Sequence, residues 1–160
     1  MDSSGFFDYP TVELDERAAE VIFLADRNAD DWRKLLAHTD VRRFRAGEVV
    51  LRAGDRERAL YLLTEGTLEV ILPERRDRGS RFKSIAAPSV IGEVAFLDGE
   101  PRSLSLRAAT DGEAHRLSLE AFEVLAAREP ELARAILFDL ARILSRRLRT
   151  TTSFIAEWVT

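Results

Sequence analysis

The spacing of apolar residues changes character twice along the chain. Near the N-terminus Leu14, Ala18, Val21, Ile22 and Ala25 recur at intervals of three and four, which predicts helix across about residues 12–37. A second short helix starts at Asp30 and carries Trp32, Leu35 and Leu36, with Asp30 and Asp31 suited to its positive end. Between Val41 and Leu117 the pattern turns to short apolar runs punctuated by glycine: Val49–Leu51, Leu60–Leu63, Leu68–Leu72 and Ser103–Leu106. The last of these alternates, which predicts Leu104 on the face opposite Ser103 and Ser105, in the core. Glu65-Gly66 and Asp111-Gly112 read as hairpin turns in which glycine takes a positive φ without cost. From Ser118 onward the pattern is helical again. Ser118 is placed to cap a helix over Leu119–Ala127, with Glu120 and Glu123 near its positive end, and Pro130 suits the first position of a longer one. That helix carries Leu137, Leu140, Leu144, Leu148, Thr151, Ile155 and Trp158 along one stripe. Two readings fit the stripe: packing on the chain's own strands, or a dimer seam or lid. Its length favours some dimer contact, because it outruns the strands it would cover.

Candidate chemistry concentrates in Ile91–Leu106, where a strand end is followed by Gly92-Glu93, a single helical turn over Val94, Ala95, Phe96 and Leu97, and then Pro101-Arg102-Ser103. A helix start offers unpaired N–H donors and the positive end of a dipole, which suits an anion. Arg102 can fold back over that start and present its planar fork of donors to a phosphate, and Ser103 can add a hydroxyl. Glu93 would repel a phosphate, so it is expected to accept from a neutral hydroxyl such as that of a ribose. Buried without a ligand, Glu93 and Arg102 must pair with each other or carry a desolvation cost.

Gly92-Glu93 and Pro101-Arg102-Ser103, at this spacing, resemble the phosphate-binding cassette of the cyclic nucleotide-binding domains found in catabolite activator proteins, kinase regulatory subunits and ion channels. The resemblance extends through Phe44–Asp55 and Leu60–Val70, with Gly47, Gly54, Gly66 and Gly92 in register, and covers roughly Asp30 to Trp158. It sharpens the strand pattern, which by itself indicates a sandwich or barrel, to an α+β, mainly β fold. The expected core is an eight-stranded jelly roll flanked by N-terminal helices, the short cassette helix and a long C-terminal helix. Residues 1–29 are then an N-terminal helical extension and 30–160 the domain itself. The ligand implied is cyclic AMP ahead of cyclic GMP, with no other cofactor, bound by Gly92, Glu93, Val94, Ala95, Arg102 and Ser103. Val70, Phe82 and Ile85 would lie against the purine, and Arg147, Thr151 and Thr152 match helix positions that approach the base in bacterial relatives. As residues alone, the first three fit core packing equally well and the last three an exposed helix face. Two positions depart from the pattern. Pro88-Ser89 stands where Gly-Asp is usual, and Leu104 where a small residue is usual.

Composition narrows the classes further. A chain of 160 residues is long enough for one core without staples, and with no cysteine it has no disulfide or thiolate metal site. His38 and His115 are far apart and lack the clustered partners of a metal-binding cupin, the other common small jelly roll. No motif assembles a nucleophile with its base, so a regulatory module is expected and not an enzyme. A formal charge of −4 disfavours a nucleic-acid partner. Related transcription factors continue into a helix-turn-helix, and none is expected in a chain ending at Thr160. Arg75-Arg76-Asp77-Arg78-Gly79 reads as a solvated hairpin loop, and Arg142, Arg146, Arg147 and Arg149 as a polar helix face. There is no signal peptide or membrane-length apolar run. The expectation is a cytoplasmic, homodimeric signal-transduction module that senses a cyclic nucleotide and regulates a protein partner in trans. The second reading is a ligand-independent interaction module acting through its helical ends.

Overall fold

The computed structural model describes residues 23–71 and 84–159, with side chains up to residue 152. In chain order the elements are α1 (Ala29–Leu36), β1 (Asp40–Phe44), β2 (Val49–Leu51), β3 (Ala59–Glu65), β4 (Thr67–Ile71), β5 (Ser84–Ala86) and β6 (Ser89–Ile91). Then follow α2 (Glu93–Asp98), β7 (Ser105–Ala108), β8 (Gly112–Ser118), α3 (Leu119–Arg128) and α4 (Pro130–Val159). The strands form two antiparallel four-stranded sheets, ordered β1-β8-β3-β6 and β2-β7-β4-β5, as the resemblance implied.

Strand patterning shows which face of each sheet is covered. Ala59 to Leu63 of β3 are all buried, because both faces of its sheet are packed. Ala59, Tyr61 and Leu63 point into the roll with Leu68, Val70, Ile91 and Leu106. Leu60 and Leu62 point outward, beneath Leu35, Phe96, Phe122, Leu125, Ile136 and Leu140 of the helices. β4 alternates instead, with Leu68 and Val70 buried and Thr67, Glu69 and Ile71 only partly so, since among the described residues no helix covers the outer face of its sheet. Ser118 caps α3 as expected, accepting from the Ala121 N–H at 3.1 Å.

Several expectations are corrected. Of the helical signal across 12–37, the described helix is the expected second, short one, which begins at Ala29 as α1, one residue before Asp30. Residues 23–26 form a turn with Leu24 at φ 51°, Asn28 caps α1 by accepting from the Asp31 N–H at 2.9 Å, and Asp30 and Asp31 lie in the first turn as expected. Leu14, Ala18, Val21 and Ile22 lie outside the described residues, as do Phe82 and the arginine-rich stretch 75–79. Neither glycine turn closes a hairpin. Gly66 joins β3 to β4 and Gly112 begins β8 after β7, so each turn crosses between the sheets. The two turns pack on one another: a Cβ on Gly66 would stand 2.6 Å from the Asp111 carbonyl oxygen. Gly66 does need its positive φ of 91°, but Gly112 is required by crowding. Leu104 is not in the core. β7 begins only at Ser105, and Leu104, in the preceding loop, is 47% exposed.

The stripe on α4 resolves into two faces. Leu132, Ile136, Leu140 and Ile143 are buried against the chain's own first sheet and helices. Leu137, Ala141 and Leu148 are exposed and Leu144 half-buried on the other side, so Leu140 belongs to the inner face and not to the outer line. The outer residues are spaced four, three and four apart, and the same spacing continues in sequence through Thr151, Ile155 and Trp158.

Candidate functional site

The cassette is built around one short helix. Gly92 and Gly99 bracket α2 at φ 76° and 73°, and Arg58 closes its C-terminal end by donating to the carbonyls of Phe96 and Leu97, each at 2.8 Å. Phe96 anchors the helix against Phe122 edge-to-face, with ring centroids 5.5 Å apart. At its start Glu93 is buried, and its carboxylate accepts from Arg147 Nη1 on α4, while Arg147 Nη2 donates to the Val90 carbonyl at 3.1 Å.

Arg102 is held from both ends. Its backbone exchanges hydrogen bonds with the loop before β3, the Gly54 N–H donating to its carbonyl at 2.7 Å and its own N–H to Asp55 at 2.8 Å. Its guanidinium donates through Nη2 to the Ala59 carbonyl (2.9 Å) and the Glu57 carboxylate (3.3 Å), and through Nη1 to the Gly92 carbonyl (3.4 Å). It lies over the Tyr61 ring, 5.7 Å from the centroid. A Cβ at residue 92 would come within 2.7 Å of Arg102 Nη1, so glycine is needed there for space as well as for φ. Arg102 is 5% exposed, yet its Nε has no hydrogen-bond partner among the described residues. A buried guanidinium N–H left unpaired is costly in isolation, and a phosphate oxygen is the acceptor that its charge favours.

Glu93 and Arg102 therefore do not pair with each other; each has its own counter-charge. Sequence reading missed both Arg147 as the partner of Glu93 and Glu57 as the partner of Arg102. Glu57 is the hub of a network. It accepts from Arg102, from the Tyr61 hydroxyl at 2.8 and 3.0 Å, and from Arg116, which also reaches Asp40 at 3.4 Å. Burial alone would raise its pKa, but the hydrogen bonds from Arg116, Tyr61 and Arg102 outweigh that and hold it below the ordinary 4.5. Burial, followed by the neighbouring carboxylate, pushes the Tyr61 hydroxyl above its ordinary 10.0. The unfolded chain then binds a proton at Glu57 before the native one does, as pH falls. This contribution to stability is complete above about pH 4.5 and is lost as pH drops through the depressed native value. Urea midpoints measured across acidic pH should therefore fall less steeply for Glu57→Gln than for the native chain. Parallel curves would mean that Glu57 is not the linked group.

A sequence profile of the cyclic nucleotide-binding domain matches residues 41–129. The chain belongs to this family. Glutaminase 1 of Bradyrhizobium diazoefficiens is 31% identical over 140 residues, a match covering 88% of this chain and 21% of the glutaminase. The cAMP-activated global transcriptional regulator Vfr of Pseudomonas aeruginosa is 27% identical over 128 residues, covering 78% of this chain and 58% of the regulator. The chain thus spans only part of these relatives. The crystal structure of the Thermus thermophilus catabolite activator protein superposes with a TM-score of 0.74 at 24% identity, over 86% of this chain and 63% of that one, a likeness of fold.

In this cyclic nucleotide-binding domain, Gly92, Glu93, Arg102 and Arg147 come together as described. Ala95 is buried on α2 while Val94 is 48% exposed, and Ser103 is exposed beside Arg102. Val70 faces the roll interior and Ile85 packs partly against the same cluster. Thr151 and Thr152 are exposed one turn beyond Arg147, with the Thr151 hydroxyl donating to the Arg147 carbonyl at 3.0 Å. No helix of the described residues is long and apolar enough to cross a membrane.

Proposed function

We propose that the chain is a non-catalytic sensor of a cyclic nucleotide monophosphate, cyclic AMP ahead of cyclic GMP. The observation that carries this reading is the buried Arg102, held over Tyr61 beside the first turn of α2 with one donor unpaired among the described residues. Its phosphate partner would sit there, with Ser103 at the rim. The ribose hydroxyl goes to Glu93, and the base lies toward Val70 and Ile85. The name of Vfr, which gives cAMP as its activator, supports the choice of ligand.

Signalling follows from the Glu93–Arg147 contact. The carboxylate that would accept from the ribose is the one that holds α4, so sugar and helix draw on the same acceptor. A ligand changes the position of a helix only by contacting its two arrangements unequally, and this shared carboxylate supplies such a difference. The output would be a partner protein, either a second copy along α4 or a regulated protein. A match to about a fifth of a glutaminase is consistent with attachment of such domains to metabolic enzymes.

Calorimetric titration with cyclic AMP, cyclic GMP and 2′-deoxy cyclic AMP tests the function. Heat of binding for a ribose nucleotide is expected, with the deoxy ligand weaker by roughly tenfold for loss of a hydrogen bond to a charged acceptor. Glu93→Gln should narrow that gap. No heat from folded protein with any of the three favours the ligand-independent interaction module instead.

A further inference from the structure

Arg102 Nε is one of two buried side-chain polar atoms without a hydrogen-bond partner among the described residues; the other is the hydroxyl of Ser89. Ser89 opens β6 and is 6% exposed. Its direction follows from strand register. Ser89 pairs with Leu63 and Ile91 with Tyr61, while Leu63 in turn pairs with Ala114. Cross-strand partners share a face. Leu63, Ala114, Tyr61 and Ile91 all lie in the cluster inside the roll, whereas Val90 between them packs outward under the helices. The Ser89 hydroxyl therefore points into the roll, on the same wall as the Tyr61 ring that carries the Arg102 guanidinium.

Position along that wall decides what the hydroxyl can meet. From Tyr61 to Leu63 is one two-residue step, about 7 Å along the strand. A phosphate on Arg102 is too far to be shared across that step, but the rest of a nucleotide extends well beyond it. A hydroxyl both donates and accepts, so it can satisfy a polar edge of either sign. A buried hydroxyl with no partner is a cost to the protein alone, and it is relieved by any ligand that presents a polar atom there.

We infer that Ser89 is a ligand-binding residue that hydrogen-bonds the sugar–base portion of the bound cyclic nucleotide. This rests on the proposed function and adds a contact on β6 to a site otherwise drawn from α2, the Arg102 loop, α4 and the strands β4 and β5. Two measurements on Ser89→Ala test it together. Calorimetry with cyclic AMP should show binding about three- to tenfold weaker, the range for one neutral hydrogen bond. Thermal unfolding without ligand should show an unchanged or raised midpoint, because alanine removes an unsatisfied buried group. Weaker binding with no loss of ligand-free stability is the signature of a ligand contact. Equal affinity in native and variant protein overturns the inference. So does a lowered midpoint without ligand, since the hydroxyl would then be bonded within the protein. Native protein that binds neither cyclic AMP nor cyclic GMP is a different failure: it falls on the function itself and takes the Ser89 contact with it.

Discussion

Arg102→Ala should weaken cyclic nucleotide binding by about thirtyfold to several thousandfold, the equivalent of roughly 2–5 kcal/mol for truncating one side of a desolvated charge pair. The magnitude follows from how the residue is held. The guanidinium is 5% exposed, fixed by carbonyls of Ala59 and Gly92 and by Glu57, and its backbone is locked to Gly54 and Asp55. Little ordering remains to be done when a phosphate arrives, so the full interaction is available to binding. The fold should survive, because Glu57 keeps Arg116 and Tyr61 as partners when Arg102 is gone. Arg102→Lys should fail almost as badly, since one ammonium cannot serve two carbonyls, a carboxylate and a phosphate in that geometry. Calorimetry paired with a melting curve separates the outcomes. A folded Arg102→Ala chain with native affinity would remove the phosphate from this arginine altogether.

The second large effect concerns the outer face of α4. Leu137 and Leu148 are 41% and 67% exposed, although the inner face of the same helix already covers the chain's own core. Covering each outer leucine contributes on the order of 1.5–3 kcal/mol. The four-three-four spacing of Leu137, Ala141, Leu144 and Leu148 is that of a seam between two helices. A second copy is the occupant that needs only one self-complementary surface. Light scattering at micromolar concentrations should give the mass of two chains, and Leu144→Glu with Leu148→Glu should give one, still folded. A native mass of one chain would leave α4 as a helix turned toward its own pocket.

How much of this was legible in the sequence depended on whether a residue's role was local. Ser118 and Pro130 announced their helices because caps and first turns obey short-range rules. β4 was legible as a strand, but its apolar run did not show which face is inward; only Leu68 and Val70 are buried in it. β3 could be recognised as a strand, but both its faces are buried, so its period carried no information on which residues point inward. Leu104 was misplaced because alternation was extended backward from β7 into a loop, where Arg102 bonds to Gly54 and Asp55 and no ladder governs side-chain direction. The candidate cassette was visible as a motif, but its counter-charges were not. Glu57 lies in an irregular loop and Arg147 more than fifty residues downstream of Glu93, and no periodicity links either to its partner. The charged run Asp55-Arg56-Glu57-Arg58 was the available signal, and it reads equally well as a solvated turn.

That run has a consequence for how the protein can change. Adjacent residues in it moor two different things: Glu57 holds the Arg102 guanidinium, and Arg58 holds the carbonyl end of α2. Gly54 and Asp55, just before them, fix the Arg102 backbone. Surface loops ordinarily accept inserted or deleted residues more readily than strands do. Here one added residue between Asp55 and Glu57 would shift the arginine's side chain relative to its own backbone and draw the helix with it. The stretch from Gly54 to Arg58 thus behaves as a gauge whose length is set at both ends, and an inserted or deleted residue there disturbs both of the things it moors.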